Sequence, residues 1–240
     1  MENKKTSDLR VGFHSIEMLL KLMPENIKQI FVPANRNDER IKSLINMAEN
    51  ASVSIQRKKS ISQHPEAILR KSINLGFNQL KKFEESIKYE NPTFLVIDNV
   101  IDPRNLGACI RSAVAANVDG IIINKHRCSP ITSLVRQISS GGTEVAKIFS
   151  ITNLVNTLKY FKKKGYLILG TSEHADSIYS DLDLNKPILA IVGSEEEGIR
   201  QKTLERCNIV CALSKNEIFN SLNVSVATGV LVFEIARQKY

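Results

Sequence analysis

The sequence predicts an α/β protein built on a mostly parallel sheet, and two observations support this. Short apolar runs of strand length alternate with amphipathic helical segments from residue 93 to residue 240. Parallel strands need crossover connections, usually helices, so the alternation favours a sheet that is covered on both faces. Polar residues and glycines follow several of the apolar runs, as at Asp102 and Gly193. Free backbone donors at such positions can meet a ligand.

The first ninety residues predict a smaller α/β unit. Its elements are a helix over 15–23 that Ser15 can cap, a strand over 27–32, a helix over 38–49 and a possible strand over 53–55. Residues 72–92 lose clear periodicity, are dense in charge and end at Asn91-Pro92. The predicted domains are therefore 1–75 and 93–240, joined by a linker at 76–92.

The second domain is predicted element by element from the same periodicities. A strand over 93–98 leads through an Asp-Pro turn into a helix that runs to Asn117. A later helix begins at Thr152 and stops at Gly165, and the last helix begins near Ser221. The remaining strands are predicted over 120–124, 166–170, 188–193 and 209–213.

The charge balance suggests a polyanionic partner. The 240 residues contain 33 basic and 25 acidic side chains, a net charge of +8. Residues 1–90 carry 16 basic and 11 acidic side chains, net +5, against 17 and 14, net +3, in residues 91–240. This distribution suits an RNA-docking module beside a catalytic domain, although a merely basic soluble protein would look the same.

Several classes of protein are disfavoured. The four cysteines form no CxxC pair and have no histidines at zinc-finger spacing, so we expect reduced thiols in a cytoplasmic protein and no metal. No apolar run is long enough to span a membrane, and the N-terminus lacks the apolar core of a signal peptide. No GxGxxG follows the first strand of either domain, which disfavours a nicotinamide-dependent enzyme.

Three short segments carry the candidate chemistry. The first, 102–111, places Asn105 where it can cap the following helix and Arg111 beside the apolar face of that helix, where a lone arginine is most often solvated. The second, Gly193-Ser194-Glu195-Glu196-Glu197-Gly198, is a glycine-rich turn after a buried strand, and we expect only Glu195 to point inward. The third, 221–227, reads Ser-Leu-Asn-Val-Ser-Val-Ala and opens a valine-rich helix for which Ser221 is a natural cap.

These three segments, in this order and at about this spacing, resemble the motifs of the SpoU/TrmH family of RNA 2′-O-ribose methyltransferases, within the SPOUT class. The likeness is strongest to the RlmB type, which methylates a guanosine ribose in large-subunit (23S) ribosomal RNA. It implies an α/β fold with a trefoil-knotted C-terminal segment, preceded by a small domain similar to ribosomal L7Ae/L30e proteins. It also implies S-adenosylmethionine as cofactor, ribosomal RNA as partner and a homodimer.

The resemblance also implies roles for individual residues. The catalytic set would be Asn105, Arg111, Glu195, Ser221 and Asn223, and the cofactor-binding set Gly193, Leu213 and Leu222. A 2′-hydroxyl is a weak acid, so its proton must be taken as the oxygen attacks. An arginine ordinarily stays protonated, so either Arg111 in an unusual environment or a nearby RNA phosphate takes that proton.

Two departures from the family pattern leave the choice of RNA open. The RlmB type usually carries His-Gln-Gly where this chain has His64-Pro65-Glu66, and the family tends to have Pro-Met and a glycine where this chain has Ser214-Lys215-Asn216-Glu217. The alternatives are the same chemistry on a D-loop guanosine of transfer RNA, and an RNA-binding protein that has lost catalysis. The intact catalytic set counts against the second alternative.

Overall fold

The computed structural model describes residues 9–61, 63–70, 75–194, 196–216, 218 and 221–240. The chain divides into two compact units. The N-terminal unit comprises Met1–Ile73 together with Ile131–Val145, and the C-terminal unit comprises Asn74–Pro130 and Ala146–Tyr240. The sequence predicted a single break in the chain and placed 131–145 with the second domain. The structure instead groups that segment with the first unit.

The described helices and strands are numbered here in chain order. The helices are α1 (Phe13–Leu22), α2 (Glu39–Asn50), α3 (Phe77–Ser86), α4 (Pro103–Ala115), α5 (Ser133–Ile138), α6 (Gly142–Val145), α7 (Leu154–Lys163), α8 (Gln201–Leu204) and α9 (Val224–Lys239). The strands are β1 (Leu9–Val11), β2 (Ile27–Pro33), β3 (Ile55–Lys58), β4 (Glu66–Leu69), β5 (Thr93–Ile97), β6 (Gly120–Asn124), β7 (Ile148–Ile151), β8 (Leu167–Thr171), β9 (Ser177–Ile178), β10 (Ile188–Val192) and β11 (Ile209–Ala212). None of the described helices combines the length and apolarity needed to cross a bilayer.

The N-terminal unit is a small sheet covered by amphipathic helices. Among the described residues its strands lie in the order β1-β4-β2-β3, with β2 and β3 parallel and the other pairs antiparallel. Ile16 and Leu19 of α1, Ile30 of β2, and Ile41 and Leu44 of α2 are fully buried in one core. The predicted helices and strands at 15–55 are therefore present, with shifted ends. The cap of α1 is Gly12, because Ser15 is buried inside the helix.

A buried charge cluster holds residues 131–145 in the N-terminal unit. The Glu144 carboxylate on α6 pairs with Arg10 Nε of β1 at 3.1 Å and with Arg136 Nη1 of α5 at 3.4 Å. Ser15 Oγ donates a hydrogen bond to the same carboxylate at 3.1 Å. Burial lowers the pKa of Arg136 to about 10. The buried Arg10 and the partly buried Arg136 both pair with this one carboxylate, and this shared ion pair ties α5 and α6 to β1 and α1.

We predict that Glu144→Gln loosens this segment selectively. The change removes the carboxylate that pairs with the buried Arg10 and the partly buried Arg136, which costs about 3–5 kcal/mol of local stability. Hydrogen exchange should quicken in 131–145 and β1, and stay unchanged in β5 of the C-terminal unit. Glu39→Gln, which removes an exposed pair with Lys42 on α2, is the control and should leave the exchange pattern alone. Uniform quickening in both units would contradict the prediction.

The C-terminal unit confirms the predicted α/β class. Its described strands form one sheet in the order β7-β6-β5-β10-β8-β11-β9, and every neighbouring pair is parallel. All five residues of β5, β6 and β10 are buried, as expected for central parallel strands. The predicted strands match to within about a residue at each end. The trefoil knot remains a prediction from the resemblance.

Residues 76–92 are not the linker that the sequence suggested. Most of this stretch is α3, whose first turn is closed by Gln79 Oε1 accepting from the Gly76 N–H at 3.1 Å. Leu80 is fully buried, and the Phe83 ring packs against Phe94 and Phe149 of the main core. Tyr160 of α7 donates a 2.7 Å hydrogen bond to Glu84 of α3, which connects the two helices. The many charged residues of this stretch obscured the helical period of its apolar residues, which include Phe77, Leu80 and Phe83.

Candidate active site

A cavity of about 570 Å³ lies where three adjacent parallel strands end. Strands β10, β8 and β11 are neighbours in the sheet, and the segments that follow their carboxyl ends supply most of the wall. Open parallel sheets bind ligands at this edge because the strands end there together. Its lining includes Glu173, Gly193, Glu196, Glu197, Arg200, Leu213, Ser221 and Leu222.

Gly193 is required by the backbone that folds over it. After β10 the chain turns back in a narrow hairpin, in which Ser194 and Gly198 exchange backbone hydrogen bonds of 3.2 and 3.0 Å. A Cβ on Gly193 would stand 2.0 Å from the carbonyl carbon of Gly198. Gly198 itself has a φ of +62°, which favours glycine. The hairpin therefore needs both glycines of the second motif.

Two glutamates of the hairpin, Glu196 and Glu197, line the cavity. Glu195 lies outside the described residues, so the expectation that it alone points inward stays a prediction. Glu197 Oε2 accepts a 2.7 Å hydrogen bond from Asn99 Nδ2, which anchors the hairpin to the residues after β5.

Asn223, rather than Ser221, caps the last helix. Its Oδ1 accepts from the Ser225 N–H at 2.9 Å, and α9 begins one residue later than Asn223. The predicted cap Ser221 is released from that task and lines the cavity together with Leu222. Leu213, which follows β11, also lines the cavity. The structure thus brings Gly193, Leu213, Ser221 and Leu222 to one place.

The first motif meets the third through a pair of asparagines. Asp102 caps α4 by accepting from the Arg104 N–H at 2.8 Å, and the side-chain hydrogen bond from Arg104 lowers the pKa of Asp102. Asn105 is therefore not the cap that the sequence suggested. Its Oδ1 instead accepts from Asn223 Nδ2 at 3.2 Å. Arg111 is exposed on α4, about 9 Å further along the helix axis, and is not among the cavity-lining residues.

Packing between α4 and α9 holds these two helix starts together. Thr228 of α9 is completely buried, and its hydroxyl donates to Val224 O at 2.7 Å. The same Oγ1 lies 3.3 Å from Cys109 Sγ of α4. This contact explains why a valine-rich segment is helical: its buried face is covered by α4, and tertiary burial outweighs the weak helix propensity of valine.

Sequence reasoning missed a buried acid at the end of β5. Asp98 is completely buried and pairs with Arg200, whose Nη2 lies 2.7 Å from Oδ1 and whose Nε donates to Oδ2 at 3.0 Å. The Oδ1 contact is an ion pair without hydrogen-bond geometry. Thr203 Oγ1 donates to Oδ2 at 3.2 Å. The available signal was an aspartate closing an otherwise apolar strand, since a buried carboxylate needs a partner.

We predict that Gly193→Ala opens the hairpin and lowers the melting temperature. The added Cβ would overlap backbone atoms that cannot move separately from the hairpin. At roughly 2–4 °C for each kcal/mol lost, a cost of a few kcal/mol is readily measured by differential scanning calorimetry. The control is Gly229→Ala in α9, where the Cβ would make an ordinary 3.8 Å contact with Ser112 Oγ. That variant should melt at or above the wild-type temperature, because alanine favours a helix. Equal melting of the two variants would contradict the clash.

Comparison with known proteins gives three findings. A family model described as the SpoU rRNA Methylase family matches residues 92–233. A 23S rRNA (guanosine-2′-O-)-methyltransferase RlmB from Shewanella oneidensis is 35% identical over 98% of this chain and 99% of its own. Among solved structures, the SpoU methyltransferase AviRb from Streptomyces viridochromogenes, in complex with AdoMet, covers 96% of this chain and 89% of its own, with a TM-score of 0.76 and 17% identity. The A. aeolicus TrmH/SpoU tRNA modifying enzyme covers 67% of this chain and 82% of its own, with a TM-score of 0.56 and 27% identity.

Proposed function

The chain belongs to the SpoU rRNA methylase family, and from this premise we propose that it transfers a methyl group from S-adenosylmethionine to the ribose 2′-hydroxyl of a guanosine in 23S ribosomal RNA. The observation that carries the proposal is the gathering of the three motifs at one edge of the sheet. One cavity is lined by Gly193, Leu213 and Leu222. Asn223, the residue after Leu222, donates a hydrogen bond to Asn105 of the first motif. The name of the full-length relative supplies the RNA and the nucleotide.

The cavity fits the donor in size and chemistry. Its volume of about 570 Å³ lies in the usual range for sites that hold small molecules. Leu213 and Leu222 offer apolar surface for a purine. Gly193 lines the same cavity, and its lack of a side chain lets the backbone of Gly198 close the hairpin there. AviRb, which shares the fold, is described with AdoMet. When bound, the donor supplies a methyl group on a positively charged sulfur.

We assign binding of the RNA, which accepts the methyl group, to the first residues of α4 and α9. We assign Asn105 and Asn223 to orient the ribose and its neighbouring phosphate, since their amides hold each other in place. We assign Ser221, which lines the cavity, to the polar surface around the reacting hydroxyl. Glu195 lies outside the described residues, and its catalytic role is proposed from the family resemblance alone. Arg111, exposed on α4, is assigned to the acceptor rather than to the donor. The proton of the hydroxyl leaves either to Arg111 or to an RNA phosphate that Arg111 holds.

Replacing Arg111 with alanine should abolish methyl transfer while leaving donor binding intact. Loss of a positioned proton-transfer group typically costs about 10²–10⁴ in rate. Single-turnover assays with radiolabelled donor give the rate, and calorimetry gives the affinity for S-adenosylhomocysteine. Arg206→Ala is the matched control, since this arginine donates to Lys202 O and does not line the cavity. Near-normal turnover of Arg111→Ala would show that Arg111 is only a solvated helix residue.

We assign RNA docking mainly to the N-terminal unit, where most of the charge excess lies. A basic face there consists of Arg36, Arg40, Arg57, Lys58 and Lys59. The guanidinium groups of Arg36 and Arg40 lie 5.3 and 4.4 Å from the centre of the Phe13 ring. Arg57 donates to Arg36 O at 2.8 Å, so it also shapes the loop before α2. Lys58 and Lys59 are exposed, and Lys58 Nζ lies 4.9 Å from the centre of the Phe31 ring.

The triple variant, with alanine in place of Arg40, Lys58 and Lys59, should weaken RNA binding. It should also flatten the dependence of the RNA affinity on salt concentration. Each lost phosphate contact reduces the slope of log affinity against log salt by roughly 0.7 to 0.9. The modified nucleotide should not change. Lys42→Ala is the control, because Lys42 lies about 200° around α2 from Arg40. Filter binding to a ribosomal RNA fragment over a range of salt concentrations provides the measurement. An unchanged slope would place RNA docking elsewhere.

The transfer-RNA alternative has less support. The transfer-RNA modifying relative covers only 67% of this chain, whereas the ribosomal-RNA relative covers 98%. Mapping 2′-O-methylation over all RNA, in cells with and without the protein, decides between the two substrates. A missing methyl group on transfer RNA would favour the alternative, and no change at all would favour an RNA-binding protein without catalysis.

We also propose a homodimer, on the basis of an apolar stripe along α9. Val226 and Phe233 are each 51% exposed and Tyr240 is 86% exposed, and their spacing of seven residues places them on one side of the helix. A stripe of this kind is costly in water and fits an interface between copies. Phe233→Glu should convert the dimer into monomers in sedimentation equilibrium. A wild-type protein that is monomeric at micromolar concentration would contradict the proposal.

A further inference from the structure

Arg200 stands out in the wall of the cavity. It is the one lysine or arginine among the described residues that line it, and 27% of its side chain is exposed. Its Nε and Nη2 face the completely buried Asp98 carboxylate, at 3.0 and 2.7 Å. The remaining nitrogen, Nη1, donates no hydrogen bond to the part of the chain that the structure describes.

Asp98 fixes the orientation of this guanidinium. The aspartate follows directly on β5, its N–H donates to Val192 O at 2.9 Å, and Thr203 Oγ1 donates to its carboxylate. The carboxylate is therefore held by the sheet on one side and by α8 on the other. Because Asp98 contacts Nε and Nη2, the other edge of the guanidinium points in a fixed direction. This lowers the entropy cost of binding an anion.

The other charged groups of the cavity complement a zwitterion. Glu173, Glu196 and Glu197 line the cavity with Arg200. The amino-acid portion of S-adenosylmethionine carries one ammonium and one carboxylate group. Carboxylates suit the ammonium, and the guanidinium is the matching group for the carboxylate because its paired N–H donors fit two oxygens.

We propose that Arg200 binds the α-carboxylate of the amino-acid portion of the methyl donor, and that Asp98 is the positioning residue that aims it. This inference rests on the proposed function, because it presumes that the cavity holds the donor. It adds a division of the cavity into an apolar part at Leu213 and Leu222 and a charged part at Arg200. A phosphate of bound RNA is the rival anion for the same guanidinium.

The test compares two ligands that differ only in the amino-acid portion. S-adenosylhomocysteine carries the carboxylate, whereas 5′-methylthioadenosine keeps the adenosine and the sulfur and lacks it. Calorimetry on the full chain without RNA should show that Arg200→Met weakens binding of S-adenosylhomocysteine about tenfold to a hundredfold, as for a charged hydrogen bond. Binding of 5′-methylthioadenosine should be unchanged. Arg206→Met is the matched control and should alter neither affinity.

The positioning role of Asp98 has its own readout. Asp98→Asn should weaken S-adenosylhomocysteine selectively, in the same direction as Arg200→Met. The double variant should lose no more than Arg200→Met alone, because the aspartate acts only through the arginine. Arg200→Lys keeps a cation without the paired donors and should recover part of the loss. It also provides a folded comparison if a neutral side chain at this position destabilises the protein.

Three outcomes would overturn the inference. An equal loss for both ligands would mean that Arg200 only shapes the wall. No loss for either ligand, together with weaker RNA binding, would assign the guanidinium to an RNA phosphate. If the wild-type chain binds neither ligand, the proposed function itself fails, and the inference fails with it. That last result is seen before any variant is made, so the two failures are distinguishable.

Discussion

The candidate site depends on the placement of β10 between β5 and β8 in a parallel sheet. All strands of this sheet end on the same side, so the segments after β5, β8, β10 and β11 emerge together. The hairpin after β10 then reaches the residues after β5 through the Asn99–Glu197 hydrogen bond. Strands of mixed direction would send these segments to opposite edges, and motifs separated by about a hundred residues would not meet.

Buried charge imposes a second constraint in each unit. In the N-terminal unit Glu144 compensates Arg10 and Arg136, and in the C-terminal unit Asp98 compensates Arg200. Such pairs add little net stability, because desolvation offsets most of the attraction, but breaking one leaves a buried charge without a partner. These ion pairs therefore connect segments that are distant in sequence. One connects residues 131–145 to β1, and the other connects the end of β5 to the start of α8.

The starts of α4 and α9 are capped by Asp102 and Asn223, so the side chains of Asn105 and Ser221 are not needed as caps. Asp102 caps α4, which leaves Asn105 to bond with Asn223. Asn223 caps α9 with its oxygen while its nitrogen donates to Asn105, so one amide serves both purposes. Ser221 then faces the cavity. A sequence offers several plausible caps close together, and only the path of the chain into the helix selects among them.

The sequence by itself determined the α/β class, the central strands and the three motifs, because buried strands and glycine-rich turns leave local patterns. Gly193 belongs to such a turn, although only the structure shows that a side chain there would overlap the backbone of Gly198. Only the tertiary structure decided that residues 77–86 form a helix of the core, that 131–145 belong with the N-terminal unit, and that Asp98 meets Arg200. Each depends on partners distant in the chain: Phe83 on Phe94 and Phe149, Glu144 on Arg10, Asp98 on Arg200. Local periodicity carries no information about such partners, because burial and charge pairing are settled only when the chain is folded.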